Sequence, residues 1–165
     1  MNRAAARAIR DAYPDPSPLH DVYRALRLAQ GGYERIAALL PREGLVVDLG
    51  CGEGLLAHVL VARSPGLRVL AVDHDRARVE HMRASASGKP IEVEQGDLAS
   101  FPIPPCDAVV LLDVMHYLDL RTQEALVVRA FEALRPGGTL LLRDPDAGAG
   151  PRFAIARPSQ PSMIS

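Results

Sequence analysis

Asp48, Gly50, Gly52 and Gly54 form the stretch of this chain whose residue types and spacing most directly suggest chemistry. A short apolar run ends in the aspartate, the three glycines follow at alternate positions, and a helical pattern begins at Leu55. Glycines in such a turn let the backbone come close to a ligand, and the start of a helix supplies free N–H donors. The dinucleotide pattern Gly-x-Gly-x-x-Gly would require glycine in place of Leu55. The stretch therefore predicts a nucleotide-like ligand other than NAD.

Three further acids stand at or just after the later apolar runs: Asp73, Asp97 and Asp113. Together with Asp48 they form a set of four. If the runs are parallel strands, these acids lie at one edge, where sheets of this kind bind their ligands. Asp73 follows the glycine turn by close to the roughly 20 residues at which an acid reaches a ribose diol. A carboxylate at that place would repel a 2′-phosphate, so NADP is disfavoured as well.

Alternating strand and helix patterns provide the elements that must position these residues. Strands are predicted over 45–49, 68–73, 91–94, 107–112 and 139–143, and helices over 2–12, 19–40 (divided at Gly31 and Gly32), 55–63, 76–85 and 120–134. Near-continuous apolar strands separated by helices indicate an α/β fold with a Rossmann-like, doubly wound parallel sheet in the strand order 3-2-1-4-5. We expect one domain, with a helical leader over 1–44, a core over 45–144 and an irregular tail over 145–165.

Length and composition are those of an ordinary globular protein. The chain has 165 residues, 48% of them hydrophobic and 24% charged, and its formal net charge is −1. These values fit one domain and give no reason to expect nucleic acid or an anionic membrane as partner. No apolar run approaches the roughly 18 residues of a membrane span. Cys51 and Cys106 lack metal or redox spacing, so we expect no metal site, two buried thiols and a reducing, cytoplasmic setting.

Five motifs in order resemble those of the class I S-adenosylmethionine-dependent methyltransferases, over roughly residues 45–144. They cover residues 46–54 (VVDLGCGEG), 69–73 (VLAVD), 95–97 (QGD) with a following Phe-Pro, 107–116 (DAVVLLDVMH) and 134–140 (LRPGGTL). One such motif alone would be weak support, whereas five at plausible spacing are specific. The resemblance implies S-adenosylmethionine as the cofactor and methyl transfer as the activity.

The resemblance also implies roles for the residues at the strand ends. Asp48 would lie near the ammonium of the cofactor, and Asp73 would accept hydrogen bonds from the ribose diol. Asp97 would accept the adenine amino group while Leu98 donates its backbone N–H, although a helix N-cap is an alternative role for Asp97. His74 either lines the adenine edge or is a plain surface histidine. The predicted cofactor-binding residues are Asp48, Gly50, Cys51, Gly52, Gly54, Asp73, His74, Asp97, Leu98 and Asp113.

His116 is the candidate catalytic residue, because it follows the fourth strand where the family presents the methyl group. Methyl transfer mainly needs alignment of the reacting atoms, and a base is required only if the acceptor must first lose a proton. Histidine suits that proton transfer near neutral pH, and lining the site without proton transfer is the alternative. The segment 113–116 (DVMH) lacks the Asn/Asp-Pro-Pro-Tyr signature of enzymes that methylate amide or adenine nitrogens. A small-molecule or lipid-like acceptor is therefore favoured.

The end of the chain departs from the family pattern. Related methyltransferases continue past strand five with a helix and an antiparallel hairpin, whereas residues 147–165 contain Pro151, Pro158 and Pro161, which are poorly placed for strands. Strand five would then be an open edge, explained by a truncated chain, by a tail that covers the edge or by a homodimer that pairs it. Truncation is the favoured explanation. Two alternative functions stay open: a cofactor-binding remnant or regulatory module without turnover, and an NAD-dependent oxidoreductase.

Overall fold

The computed structural model describes residues 32–146 and 150–156, with side chains over 32–144. The predicted helices before residue 32 and the tail after residue 156 lie outside the described residues. Numbered in chain order, the described elements are α1 (Tyr33–Leu39), β1 (Glu43–Leu49), α2 (Leu55–Arg63), β2 (Gly66–Asp73), α3 (Arg76–Ala86), β3 (Ile91–Gln95), β4 (Cys106–Leu112), a 3-10 turn (Met115–Tyr117), α4 (Leu120–Glu132), β5 (Leu134–Asp146) and β6 (Gly150–Ala156).

The strands form one sheet in the order β3-β2-β1-β4-β5-β6, and the first five run parallel. The predicted fold class and strand order are therefore confirmed. β1 lies at the centre, where Asp48 stands between Ala71 of β2 and Val110 of β4. Both faces of the central strands are buried, which explains their continuous apolar sequence.

Helices cover the two faces of the sheet and divide the core into two clusters. Alternate residues of β1 point to opposite faces, so Val46 belongs to the cluster with α1, α2 and α3, while Val47 belongs to the cluster with α4. α4 packs through Leu126 and Ala130, which are both fully buried. The loops at the carboxyl ends of the strands are thus held between two packed layers.

The structure corrects the prediction of a missing hairpin and an irregular tail. Residues 150–156 form β6, which pairs antiparallel with β5 from Leu140 opposite Ala156 to Asp146 opposite Gly150. The edge of β5 that the sequence left open for a homodimer is therefore paired within the chain. The prolines misled the prediction: Pro151 stands opposite Pro145 near the turn, and an edge strand tolerates a residue without an N–H donor.

β5 also begins earlier than predicted. Leu134 pairs with Cys106, and regular pairing resumes with Thr139 opposite Ala108, so the glycine-containing stretch between them interrupts the ladder.

Over the described residues, no helix is long and apolar enough to cross a membrane.

Candidate functional site

A cavity of about 970 Å³ opens at the carboxyl ends of β1, β2 and β4. All of the predicted site residues except Gly54 line it: Asp48, Gly50, Cys51, Gly52, Asp73, His74, Asp97, Leu98, Asp113 and His116. The parallel sheet brings these residues together because each lies at or shortly after the carboxyl end of a strand, and these ends share one edge. Gly54 is instead the N-cap of α2 and lies behind the turn, against Met82 of α3.

Gly50 and Gly52 shape the turn after β1, and they do so for different reasons. Both have positive φ, +76° and +58°, a conformation that L side chains rarely adopt. A Cβ at Gly50 would stand 2.3 Å from Val114 Cγ1, so the turn packs tightly against the segment after β4. A Cβ at Gly52 would meet nothing within 4 Å. Gly52 therefore leaves the backbone accessible on the cavity side.

Asp48 is a buried carboxylate that lacks a complete set of partners. Its exposed fraction is 2%, and among the described residues its Oδ2 atom has no hydrogen-bond partner. Burial first, and then the nearby charge of Asp73, raises the pKa of the Asp48 carboxyl to about 7. A cation or a donor placed in the cavity would supply the interaction that this oxygen lacks.

Asp73 ends β2 and is held by backbone donors from two sides. Its Oδ2 accepts the Gly52 N–H at 2.8 Å, and its Oδ1 accepts the Asp75 N–H at 3.0 Å. His74 Nδ1 lies 3.5 Å from Asp73 Oδ1, on a side chain that is 77% exposed. Each carboxylate oxygen has two lone pairs, so both can accept a further hydrogen bond from a diol.

Asp97 and Leu98 begin the loop between β3 and β4. The exposed Asp97 accepts the Ala99 N–H through Oδ1 at 2.9 Å, while its carbonyl accepts the N–H groups of Ser100 and Phe101. This is a turn closed by an aspartate side chain, close to the capping role that the sequence left open. The Oδ2 atom is not used in that turn.

Asp113, a predicted cofactor-binding residue, forms an ion pair that the sequence did not predict. Both of its oxygens accept from Arg143, from Nε at 3.0 Å and from the second guanidinium nitrogen at 2.5 Å. Arg143 is only 5% exposed and its Cζ lies 5.9 Å from the centre of the Tyr33 ring. The pair joins β4 to β5, and it neutralises the acid at the wall of the cavity.

His116 lies on the 3-10 turn and is paired with an acid. Its Nδ1 is 2.7 Å from Asp144 Oδ1. Since a carboxylate only accepts hydrogen bonds, the hydrogen of this bond belongs to Nδ1, and Nε2 of the neutral ring keeps its lone pair. The Tyr117 ring lies beside the imidazole, with the centroids 4.0 Å apart and the ring planes tilted by 43°. Gln123 of α4 donates to the carbonyls of Met115 and Leu118.

Sequence reasoning missed Arg143, Asp144 and Gln123, although one signal was present. An arginine that directly follows three leucines in a buried strand requires a nearby acid, and Asp113 stands at the matching end of β4. Nothing in the sequence indicated that Asp144 meets His116, because the two residues are 28 positions apart.

The two cysteines are free thiols in the structure. Cys51 Sγ lies 3.5 Å from Met82 Sδ, and burial together with the charges of Asp48 and Asp73 raises the pKa of its thiol. Within the described ranges, no group of three His, Cys, Asp or Glu side chains could hold a metal ion.

Residues 46–138 match the family model described as a methyltransferase domain. The chain is 31% identical over 138 residues to the tetracenomycin polyketide synthesis 8-O-methyl transferase TcmO of Streptomyces glaucescens. The matched region covers 80% of this chain and 41% of that protein. It is 33% identical over 106 residues to a carboxy-S-adenosyl-L-methionine synthase of Klebsiella pneumoniae, covering 60% and 42% of the two chains. The chain thus spans less than half the length of these relatives.

The fold is likewise similar to solved structures. A crystal structure of an S-adenosylmethionine dependent methyltransferase from Mesorhizobium loti superimposes with a TM-score of 0.61 at 23% identity, over 76% of this chain and 64% of the other. At that identity the likeness concerns the fold alone.

Proposed function

The chain belongs to the methyltransferase domain family, and we propose that it binds S-adenosylmethionine in the cavity at the carboxyl ends of β1, β2 and β4. We further propose that it transfers the methyl group to a hydroxyl of a small-molecule or lipid-like acceptor. The name of the TcmO relative, an O-methyl transferase of polyketide synthesis, supports an oxygen atom of a small molecule as the acceptor.

The buried Asp48 carboxylate is the observation that carries this proposal. Its Oδ2 atom lacks a partner in the described structure and its pKa is raised to about 7, so ionisation of this carboxyl is unfavourable in the free site. The ammonium group at the amino-acid end of the cofactor would stabilise the ionised carboxylate. The volume of about 970 Å³ also lies within the range of roughly 300–1,000 Å³ that ligand sites occupy.

The other cavity residues suit the remaining parts of the same cofactor. The open backbone at Gly52 permits a close approach, and Asp73 offers two acceptor oxygens to the ribose diol. Asp97 keeps one carboxylate oxygen for the adenine amino group, next to the backbone of Leu98. In this arrangement His74 is an exposed neighbour at the rim, and Asp113 acts through its pair with Arg143.

We propose His116 as the general base. The bound cofactor supplies an electrophilic methyl group on a sulfonium. His116 would take the proton of the acceptor hydroxyl on Nε2 as that oxygen accepts the methyl group from the sulfonium, so the products would be a methyl ether, S-adenosylhomocysteine and an imidazolium. Asp144, bound to Nδ1 at 2.7 Å, holds the ring in the required tautomer and stabilises the imidazolium until the proton passes to water.

Two assays test this function. Calorimetry with S-adenosylhomocysteine measures cofactor binding, and a product assay measures S-adenosylhomocysteine released from S-adenosylmethionine with a panel of phenols, aliphatic alcohols, carboxylic acids and lipid-like alcohols. We expect saturable binding by the wild type and turnover with a hydroxyl acceptor.

The outcomes separate the proposal from its alternatives. Binding without product on the whole panel would favour a regulatory module, or the kind of cofactor-derived chemistry that the synthase relative's name indicates. Saturable binding of NADH without any binding of S-adenosylmethionine would overturn the proposed function.

A further inference from the structure

The loop between β3 and β4 separates two cavities. Asp97 and Leu98 line the large cavity on one side of it. Phe101 and Arg129 of α4 line a smaller cavity of about 400 Å³ on the other side. The loop therefore borders open space at both cavities. Contacts from α4 help to fix its position.

Arg129 holds the loop through its carbonyl groups. One terminal guanidinium nitrogen donates to the Phe101 carbonyl at 2.9 Å, and the other donates to the Leu98 carbonyl at 2.5 Å. Hydrogen bonds from a charged donor are stronger than neutral ones, and the planar fork of a guanidinium fixes the direction of both. Leu98 and Phe101 are also buried, to 9% and 8% exposure, but burial does not orient a peptide group.

We propose that Arg129 is a positioning residue that gives the cavity its selectivity for adenine. It contacts the loop from the side away from the cavity and fixes the backbone at Leu98, and with it the neighbouring Asp97 carboxylate. The Asp97 carboxylate would then accept from the amino group of adenine, and the Leu98 N–H would donate to the adjacent ring nitrogen. Both contacts require that the two protein groups keep a fixed relative position. This inference rests on the proposed function, because it concerns the same cofactor.

The same helix offers a matched comparison at the other side of the cavity. Gln123 donates through one amide nitrogen to the carbonyls of Met115 and Leu118, and these bonds hold the turn that carries His116. α4 thus supports two loops with the same kind of contact, a side-chain donor on two carbonyl oxygens. Only the Arg129 contact concerns the loop that begins with Asp97.

The test compares the dissociation constants of S-adenosylhomocysteine and of S-inosylhomocysteine, whose base has an oxygen in place of the amino group. The wild type should prefer the adenine form by about tenfold or more, since an oxygen in place of the amino group sets two acceptors, this oxygen and the Asp97 carboxylate, against each other without a donor. In Arg129→Ala this preference should fall to about threefold or less. Gln123→Ala and the exposed Arg121→Ala on α4 should keep the wild-type ratio.

Conservative replacement and thermal melting separate positioning from loss of folding. Arg129→Lys keeps the positive charge but loses the two-pronged guanidinium, so we expect an intermediate ratio of the two dissociation constants. This variant serves as the comparison if Arg129→Ala melts below the assay temperature. A variant that binds both ligands more weakly by the same factor, or a wild type without preference for adenine, would overturn the inference alone. A wild type that binds neither ligand would overturn the proposed function and this inference with it.

Discussion

The cavity has two ends that are built in different ways. At the cofactor end, Asp48 and Asp73 are each 2% exposed, and the glycine turn is held by backbone hydrogen bonds to Val72 and to the Asp73 carboxylate. At the acceptor end, the His116 side chain is 37% exposed and Tyr117 is 80% exposed. One end is set by backbone geometry and burial, whereas the other is a short turn held by side chains from later elements.

Because of this difference, we expect the cofactor end to determine binding and the acceptor end to determine turnover. The buried end would recognise the constant part of the reaction, the cofactor, and it contains an Asp48 oxygen that has no hydrogen-bond partner among the described residues. The exposed end leaves an aromatic surface beside His116 that can meet acceptors of different shapes. We therefore expect substitutions at the two ends to affect different measurements.

The largest effect is expected at the acceptor end. His116→Ala should lower the rate of methyl transfer to a hydroxyl acceptor by about 100- to 10,000-fold, the usual contribution of a positioned general base. Single-turnover kinetics with S-adenosylmethionine measure the rate, and calorimetry should show that affinity for S-adenosylhomocysteine is unchanged. Asp144→Asn should also lower the rate, because the amide can donate to Nδ1, which selects the other tautomer, and no longer stabilises the imidazolium. A rate that does not depend on either residue would mean that no base acts at this end.

The second effect is a difference in folding stability between alanine substitutions at Gly50 and Gly52, both in the turn at the cofactor end. Gly50→Ala should lower the free energy of unfolding by about 2–5 kcal/mol, since it combines an unfavourable φ with a clash against Val114. Gly52→Ala carries only the cost of its φ, about 1–2 kcal/mol, because nothing stands near its Cβ. Chemical denaturation compares the two variants. Equal losses would contradict the tight packing of the turn against the segment after β4.

Gly52→Ala should act mainly on ligand binding. The new methyl group occupies the cavity side of the turn, so affinity for S-adenosylhomocysteine should fall by about tenfold, or roughly 1.4 kcal/mol. Unchanged affinity in this variant would place the ligand away from the turn.

The contrast between the two ends also explains what the sequence could reveal. β1, β2 and β4 are predicted correctly, since buried parallel strands have continuous apolar sequences, and their terminal acids mark the cavity edge. The pair between His116 and Asp144 was not predictable, because it depends on how β5 aligns with the turn after β4. β6 was missed for a related reason: local proline content disfavours strands, whereas the edge position that tolerates proline is a property of the whole sheet.

The third effect concerns Asp73, which has two tasks at the cofactor end. Asp73→Ala should weaken binding of S-adenosylhomocysteine by about 1–3 kcal/mol, through the loss of hydrogen bonds to a charged acceptor. Because Asp73 also holds the N–H groups of Gly52 and Asp75, part of this loss reflects the turn itself. The 2′-deoxy analogue of the ligand separates the two contributions. The variant should lose less affinity for this analogue than for the ribose form, and equal losses would exclude the diol contact.

The smallest effect is a pH dependence of folding stability that the buried acid at the cofactor end should cause. The pKa of Asp48 is raised from 3.8 to about 7, so near neutral pH a large share of the free protein carries the neutral acid. A raised pKa of an acid means that its contribution to stability is present below about pH 4 and is lost as the pH rises through about 7. Relative to the wild type, Asp48→Asn should therefore be stabilised most above pH 7, less near pH 5 and little below about pH 4, as measured by denaturation in the three ranges.

The same titration should appear in ligand binding with the opposite sign. A cationic ligand group favours the ionised carboxylate, so affinity for S-adenosylhomocysteine should rise with pH and be about tenfold higher at pH 8 than at pH 6. In Asp48→Asn the affinity should be lower at pH 8 and level between the two values, because the titrating group is gone. If the wild type is level as well, the ligand does not meet the charge of Asp48, and the buried acid serves the turn alone.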